Sequence, residues 1–282
     1  MHKSTLIVAG LALCCTGLTA TASPKAKVRA VHASPDTPAV DVLVDDAVAI
    51  PNLLFRDVSD YATLPSDTYN FKVVPAGETE PVPIEADLFL MPDTTYSIVA
   101  LDKFDNIFPL VLTDDNTLSK TKARIRFLHA SPDTPPVDIA IANGGPVLFG
   151  NVAFADEPMY IEVDPGTYDL EARLAGQPDP ALPIGPVKVT ANLVATAYAM
   201  GQLNGDGDQA LQAVLSIDQT CPVDLTGNGK VNCYDVWKFW NWYCHRDSRA
   251  DYSGNGRINR WDVYFFYADY KAGKKDCNRI ID

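Results

Sequence analysis

The sequence predicts a mainly β protein: two tandem antiparallel β-sandwiches followed by a small α-helical segment that binds calcium. Three observations lead to this fold class. Short segments with frequent apolar–polar alternation, bounded by Pro, Asp, Asn and Gly, recur through the first 220 residues. One block of sequence returns after 97 residues, and an oxygen-rich segment of twelve residues returns after 27 residues near the end.

The chain begins with a segment that is typical of a secretory signal peptide. A short basic start is followed by an apolar, uncharged run over 5–18, and Ala20 and Ala22 supply the small residues of a cleavage site. We predict cleavage after residue 22, so that 1–22 is removed and the protein is secreted or lies on the cell surface. A lipoprotein signal at the cysteine pair 14–15 is a less favoured alternative. No later segment is long and apolar enough to span a membrane.

The long repeat defines the domain organisation. The block KVRAVHASPDTPAVDVLV (27–44) returns as RIRFLHASPDTPPVDIAI (124–141). We predict two copies of one β-domain, over 23–118 and 119–218, and a C-terminal module over 219–282. The predicted strands are VRAVHA, VDVLV, YNFKVV, YSIVAL and PLVLT in the first copy, and IRFLHA, VDIAI, YDLEARL, VTANLVATAYAM and ALQAVLSI in the second.

The motif HASPDTP stands in both copies and offers His, Ser and Asp together. Catalysis by His32 with Asp36, or by His129 with Asp133, is therefore one hypothesis. A structural role is favoured, because Ser-Pro-Asp-Thr-Pro forms a proline-stiffened corner where Ser and Asp side chains bond to local N–H groups. We expect structural corners, or at most part of a ligand rim, and a protein that is not an enzyme.

The same motif carries a resemblance to a known family. His-Ala-Ser-Pro-Asp followed by Pro-x-Val-Asp, doubled in a chain with a signal peptide, resembles a bacterial family of secreted domains of unknown function. The resemblance covers residues 27 to about 217. It implies an immunoglobulin-like or transthyretin-like sandwich in an extracellular location. It implies no activity, since a fold alone does not determine a function.

Charge is divided unevenly between the β-rich part and the C-terminal module. Residues 23–220 carry 12 basic and 28 acidic residues, whereas 221–282 carries 10 and 8. A main body with a net charge of −16 excludes nucleic acid and anionic membranes as expected partners.

The short repeat predicts two calcium sites. DLTGNGKVNCYD (224–235) and DYSGNGRINRWD (251–262) place oxygen-bearing groups at positions one, three, five, seven, nine and twelve, with glycine at six. With only two carboxylates in each loop, we expect weak affinity, roughly 10⁻⁶ to 10⁻³ M, and two structural calcium ions. The predicted ligands are Asp224, Thr226, Asn228, Lys230, Asn232 and Asp235 in the first loop, and Asp251, Ser253, Asn255, Arg257, Asn259 and Asp262 in the second.

Each loop is followed by an amphipathic helical pattern, and no helix enters either loop. The predicted buried stripes are Val236, Phe239, Trp240 and Tyr243 in the first helix, and Val263, Phe266, Tyr267 and Tyr270 in the second. This pair of loop-plus-helix units resembles the dockerin type I module, which is EF-hand-like, over residue 221 to about 273. The resemblance implies docking onto a cohesin-like partner. The partner surface that we predict comprises Cys233, Tyr234, Trp237, Arg260, Trp261 and Tyr264, although a cysteine at loop position ten departs from the Ser or Thr that the family prefers.

Four cysteines remain after signal-peptide removal, and export favours disulfides over a zinc site. On a helix, Cys233 and Cys244 would lie roughly 16 Å apart, too far to bridge. We prefer a Cys221–Cys277 disulfide that clasps the ends of the module, and leave the partners of the other two open.

Three functions are compatible with these features. The leading hypothesis is a secreted, non-catalytic protein whose C-terminal module docks two β-domains onto an extracellular partner. The first alternative is a polysaccharide- or matrix-binding adhesion protein, which the absence of Trp from the β-domains disfavours. The second alternative is a carbohydrate-active hydrolase, motivated by the HASPDTP pair and the usual cargo of dockerins.

Overall fold

A computed structural model describes residues 24–119, 121–226, 231–253 and 255–276, with side chains of the last helix described through Lys271. The predicted signal peptide lies outside these residues. The described part of the chain is mainly β, with four small sheets in two repeated domains and two α-helices near the end. No helix in these ranges is long and apolar enough to cross a membrane.

The first repeat contains eight strands in two four-stranded sheets. The strands are β1 (Lys25–His32), β2 (Val40–Val44), β3 (Ala47–Leu53), β4 (Ala62–Pro65), β5 (Thr68–Pro75), β6 (Ile84–Phe89), β7 (Thr95–Leu101) and β8 (Phe108–Thr113). The sheet orders are β4-β1-β7-β8 and β3-β2-β5-β6.

The second repeat has the same arrangement. Its strands are β9 (Ala123–Ala130), β10 (Val137–Ile141), β11 (Val147–Val152), β12 (Ile161–Val163), β13 (Gly166–Leu174), β14 (Pro180–Val189), β15 (Leu193–Met200) and β16 (Gln212–Thr220). The sheet orders are β12-β9-β15-β16 and β11-β10-β13-β14.

The prediction of purely antiparallel sandwiches is wrong in one respect. β1 pairs in parallel with β7, and β9 pairs in parallel with β15. The chain leaves β1 for the other sheet and crosses back before β7, so β7 lies beside β1 in the same direction. Sequence periodicity reports which face of a strand is buried and contains no information on its direction.

Six strands were not predicted, and all six lie at sheet edges: β3, β4, β6, β11, β12 and β14. Edge strands face solvent and need less apolar alternation. β14 contains Pro180, Pro183 and Pro186, which an edge strand tolerates because its outer N–H groups are unpaired. The single strand predicted over 189–200 is instead divided by a turn at Asn192, whose φ is 59°.

The two repeats pack against each other through their inner sheets. Ala30 and Ala100 face the outer sheet of the first repeat, whereas Val31 and Val99 contact the second repeat. Both inner sheets are therefore covered on two faces, and the four sheets form successive layers. The buried cluster between the repeats comprises Val31, Ala33, Val99, Leu101 and Leu112 with Leu128, Ala130, Tyr198 and Met200.

Two helices follow the second repeat: α1 (Cys233–Cys244) and α2 (Arg260–Asp276). α1 begins with a capping box: the Asn232 side chain accepts from the backbone N–H of Tyr234, and the Asp235 side chain accepts from the backbone N–H of Asn232. The rings of Phe239 and Phe266 stack with centroids 4.1 Å apart. The buried stripe is narrower than predicted, because Trp240 and Tyr267 are each 51% exposed.

The C-terminal helices and loops form a buried cluster of their own that includes a few residues of the second repeat. Phe239 and Phe266 belong to one buried cluster with Val194 of β15 and Leu118, which precedes β9. The side-chain amide of Asn192 also donates to Asp224 at 2.5 Å. The segment therefore contacts the second repeat through Val194, Leu118 and Asn192.

Candidate functional site

The two HASPDTP corners are buried and internally hydrogen-bonded. His32 and His129 are each 0% exposed. Their Nε2 atoms lie 3.0 and 3.2 Å from the carbonyl oxygens of Pro38 and Pro135. Their Nδ1 atoms accept from the backbone N–H groups two residues further on, at 3.4 and 3.2 Å. Neutral imidazoles protonated on Nε2 satisfy both contacts, and burial lowers the pKa of both rings.

The acidic residues of the motif turn away from the histidines. Asp36 accepts from the backbone N–H of Phe104 at 2.8 Å, and Asp133 accepts from that of Leu203 at 2.9 Å. Each carboxylate thereby fixes the corner to a distant loop of its own repeat. The structure does not bring His, Ser and Asp together around a solvent-accessible point in either corner.

The interface between the repeats contains a crosswise pair of buried ion pairs. Arg29 of the first repeat donates to Asp218 of the second at 2.6 Å, and Arg126 of the second donates to Asp114 of the first. The side chains of these four residues are no more than 2% exposed. Arg29 and Arg126 are equivalent in the long repeat, so the interface has approximate two-fold symmetry.

Hydroxyl groups and aromatic rings complete this network. The Nε atoms of the two arginines donate to Ser97 and Thr196 at 2.7 and 2.8 Å, and those hydroxyls donate to the carboxylates of their own repeats. The guanidinium groups lie over the rings of Tyr61 and Tyr160 at 4.6 and 4.9 Å. Sequence reasoning missed this network, although an arginine within each apolar strand VRAVHA and IRFLHA was a visible signal.

In the first predicted calcium loop, two carboxylates converge on one hydroxyl. Thr226 Oγ1 lies 3.0 Å from Asp224 Oδ1 and 2.8 Å from Asp235 Oδ1. A hydroxyl has one hydrogen, so it donates to only one of them. Asp235 is 0% exposed. The predicted ligands Asn228 and Lys230 lie outside the described residues.

In the second loop, all six predicted ligand residues are described. Ser253 Oγ lies 3.3 Å from Asp251 Oδ1, and the Ser253 N–H donates to Asp262 at 2.9 Å. Positions one, three and twelve therefore meet, as in the first loop. Gly256 at position six has a φ of +76°, the left-handed conformation that the turn requires. The side-chain oxygens of Asn255 and Asn259 accept hydrogen bonds from the backbone N–H groups of Arg257 and Trp261, respectively.

The donor atoms of the two loops determine which kind of metal ion they could hold. In the described part of the chain, no three His, Cys, Asp or Glu side chains form a metal-binding group. Each loop instead combines two carboxylates with neutral hydroxyl, amide and carbonyl oxygens, which hard cations accept. In the first loop, a divalent cation would neutralise the two carboxylates that share Thr226. The residues present therefore fit calcium better than a soft metal.

Two aromatic stripes cover the outer sides of the helices. The α1 stripe comprises Tyr234, Trp237 and Trp240, and the α2 stripe comprises Trp261, Tyr264 and Tyr267; these six residues are between 51% and 68% exposed. A spacing of three residues places the members of each stripe on one side of their helix. The two stripes are equivalent in the short repeat. Cys233 and Arg260, the other predicted partner residues, are also exposed.

The cysteines are described in part. Cys233 and Cys244 are free and exposed, in agreement with their expected separation on a helix. Cys221 is buried in the cluster beneath the helices. Cys277 lies outside the described residues, and the predicted Cys221–Cys277 disulfide stays a prediction.

The chain belongs to the DUF4397 family, described as a domain of unknown function. The family model matches residues 26–140 and 123–236, two successive copies that agree with the long repeat. The dockerin type I prediction is wrong: no dockerin or EF-hand family matches, and the C-terminal region is a short two-helix segment. The first loop and the start of α1 fall within the second family match.

Solved structures show weak likenesses. The C-terminal domain of AlgF from P. aeruginosa is 18% identical, over 34% of this chain and 98% of that one, with a TM-score of 0.27. A putative cell adhesion protein from Bacteroides fragilis NCTC 9343 is 10% identical over 69% and 97%, with a TM-score of 0.18. The Bacillus anthracis TIE protein is 11% identical over 64% and 34%, with a TM-score of 0.21. At these TM-scores nothing is transferred to this chain. Among curated proteins, no match is found.

Proposed function

We propose that this protein is a secreted, non-catalytic binding protein of the adhesion type. The two β-repeats form a rigid scaffold, and the C-terminal two-helix segment contacts an extracellular protein partner. The observation that carries this proposal is the pair of aromatic stripes, six large aromatic side chains that remain at least half exposed.

The fold itself does not account for the stripes. The helices already bury Phe239 and Phe266 against the second repeat, so the packing of the segment is complete without the outer rings. Large exposed aromatic residues are typical of binding surfaces, where Trp and Tyr dominate the affinity. Repetition of the stripes at a spacing of 27 residues gives the segment two equivalent contact surfaces.

A non-catalytic role is supported by the HASPDTP corners. Both ring nitrogens of each histidine are engaged within the corner, and neither ring reaches solvent. A general base needs access to the proton that it abstracts. The candidate nucleophiles Ser34 and Ser131 are equally buried and contact the neighbouring threonine hydroxyls at 2.5 and 2.6 Å.

The test compares three forms of the mature chain (23–282): the unchanged protein, W237A/Y264A and F89A. Phe89 is the matched control, because it is 56% exposed but lies on the first repeat. Each form is used to capture cross-linked proteins from the surface fraction of the source organism, and affinity for the captured protein is then measured. Loss of two hot-spot residues should weaken binding at least about 100-fold, whereas F89A should bind normally. Equal binding by all three forms would contradict the proposal.

A polysaccharide is the second candidate partner, and the three tryptophans of the stripes favour it. Trp237, Trp240 and Trp261 are each at least 51% exposed, and flat aromatic faces can stack on sugar rings. The same three forms are sedimented with insoluble cell-wall and matrix polysaccharides. Co-sedimentation that W237A/Y264A abolishes, together with no captured protein, would identify a glycan as the partner.

We also propose that two calcium ions hold the loops that precede α1 and α2. The support is the meeting of positions one, three and twelve in both loops and the two carboxylates at Thr226. Bound calcium would supply the positive charge that these carboxylates need and would fix the starts of both helices. A ligand at 100 times its dissociation constant stabilises a fold by about 2.7 kcal/mol.

The calcium test follows tryptophan fluorescence during urea unfolding, with millimolar calcium or with a chelator. All four tryptophans lie in the C-terminal segment, so this signal reports the loops and helices selectively. Calcium should stabilise the unchanged protein and the D247A control, whose carboxylate is 28% exposed and pairs with Arg249 outside the loops. D262A should lose part of the effect, and D235A/D262A should lose all of it. An unfolding midpoint that calcium leaves unchanged would rule out both sites.

A further inference from the structure

Each repeat encloses an apolar cavity between its two sheets. The cavity of the first repeat has a volume of about 110 Å³ and is lined by inward-facing residues of all eight strands, among them Val28, Val42, Phe71 and Ile98. The cavity of the second repeat has a volume of about 240 Å³. An engineered apolar cavity of roughly 150 Å³ in another protein stays dry and binds benzene, and its volume lies between these two values.

The two cavities lie at equivalent places. Val28 and Val42 correspond to Ile125 and Ile139 through the long repeat, and both pairs line their cavities. Phe71 corresponds in the same way to Leu170. Two copies of one domain have therefore left the same space unfilled. A packing defect confined to one copy does not account for this agreement.

Small side chains create the space. Face-to-face sheets lie about 10 Å apart, and interdigitating side chains normally fill the gap. In the first cavity the lining includes Ala30, Ala86 and Ala100, and in the second it includes Ala197 and Ala213. Alanine leaves a flat slot between the sheets.

The polar atoms of the lining are engaged elsewhere, apart from the buried hydroxyl of Tyr198, which has no hydrogen-bond partner among the described residues. The polar residues of the first lining are Arg29 and His32, and their polar atoms are engaged at the repeat interface and in the HASPDTP corner. In the second, the hydroxyl of Tyr168 donates to the carbonyl oxygen of Asp164 at 2.7 Å, and the ring of Tyr198 packs between the repeats. A sugar or another polar ligand would lose several hydrogen bonds with water, and the lining offers only the Tyr198 hydroxyl in return.

Each cavity reaches the surface at the edge strand of the inner sheet. Val111 on β8 pairs with Ile98, and Leu215 on β16 pairs with Ala197, so Val111 and Leu215 occupy equivalent positions. Both residues line their cavities although they are 41% and 48% exposed. An apolar side chain at the same solvent-facing point of both repeats marks the mouth of each slot.

We propose that each repeat binds one unbranched alkyl chain, inserted between the sheets from the mouth at Val111 or Leu215. A narrow, flexible chain of methylene groups matches an apolar cavity between two sheets that is open at one edge. Its polar end stays in water outside the mouth. The protein has a net charge of −13, which favours a ligand with a neutral head group over one with a carboxylate. The protein thus has two lipid-type sites that are separate from the aromatic stripes.

The experiment titrates the mature chain with n-alkanols from hexanol to dodecanol by isothermal calorimetry. The expected stoichiometry is two per chain. Burial of one more methylene group should tighten binding about fourfold, until the cavity is full, and the smaller first cavity should reach its limit at a shorter alkanol. No saturable binding by any alkanol would overturn the proposal.

Cavity-filling variants assign the two sites. A86F should abolish binding in the first repeat and A197F in the second, each reducing the stoichiometry from two to one. A47F is the matched control, because Ala47 is exposed and does not line the cavity, and it should bind two. V111W and L215W should block the exposed mouths of the two cavities. They are used instead of A86F or A197F if either of those variants no longer unfolds cooperatively on heating. Two bound alkanols in A86F/A197F or in V111W/L215W would also overturn the proposal.

Discussion

The duplicated residues at the centre of the long repeat and the aromatic stripes of the short repeat lie in opposite environments. Residues that recur after 97 positions, such as His32 and His129 or Arg29 and Arg126, are buried and hydrogen-bonded. Aromatic residues that recur after 27 positions in the stripes are exposed. Duplication by itself therefore does not indicate function. The buried duplicated residues are explained by packing and hydrogen bonding, whereas nothing within the described chain explains the exposed aromatic stripes.

The largest effect is expected at the interface between the β-repeats. R126A removes the cation that faces Asp114, and the carboxylate remains buried beside Ser97 and Tyr61. Breaking a buried pair in this way costs about 3–5 kcal/mol. The measurement is urea unfolding followed by circular dichroism. The control is K72A, whose partner Asp46 is 79% exposed, and it should cost less than about 1 kcal/mol. Equal losses in the two variants would show that the interface is not firmly closed.

The next effect is expected in the core beneath the helices. F239A removes a ring that is 1% exposed and stacks on Phe266 at 4.1 Å. The cavity should destabilise the C-terminal segment by about 3 kcal/mol. Tryptophan fluorescence should detect the loss at lower urea than circular dichroism of the sheets does, if the segment can unfold before the repeats. Coincident transitions would show instead that the shared cluster with Val194 unfolds as one unit with the second repeat.

A smaller effect, specific in its pH dependence, is expected from the buried histidines. Burial lowers the pKa of His32 and His129 below the value of 6.5 that they have when exposed. Below pH 6.5 the unfolded chain binds protons that the folded chain excludes, so stability should be full above pH 6.5 and should fall as the pH is lowered. The measurement is the free energy of unfolding between pH 5 and 8. H32Q/H129Q should show a flatter profile, and H245Q, at an exposed position, should match the unchanged protein.

The smallest effect on stability is expected from the aromatic stripes. Trp237 and Tyr264 are 68% and 62% exposed, and W237A/Y264A should change the free energy of unfolding by no more than about 0.5 kcal/mol at each site. Urea unfolding followed by circular dichroism checks this value. A loss of several kcal/mol would show that the stripes are part of the core, and it would remove the main support for a binding surface.

Much of the β-fold was predictable because burial leaves a period-two pattern. The central strands β1, β2, β9 and β10 were found from alternation and repetition. Six of the eight edge strands were not found, because solvent covers one side of an edge strand and its sequence is less constrained. The direction of β7 relative to β1 was also not predictable, since alternation is the same in parallel and antiparallel pairs.

The candidate sites, like the strands, were predicted only in part from the sequence. The spacing of the loop residues identified oxygens that do meet, such as those of Asp251 and Ser253. The same spacing suggested a dockerin module, which the family comparison contradicts. The helical period placed Trp240 on a buried stripe, but the short helix has only the narrow contact with Phe266 and the second repeat to bury against.

By itself, the sequence determined that there are two copies of one β-domain, that their HASPDTP motifs form structural corners, and that two helices follow oxygen-rich loops. These features depend on local chemistry and on repetition, which a single chain displays directly. The tertiary structure alone decided that Arg29 pairs with Asp218, that the inner sheets are covered on both faces, and that each repeat keeps an apolar slot. Residues 189 positions apart meet only when the chain is folded, and the space between two sheets depends on the side chains of both.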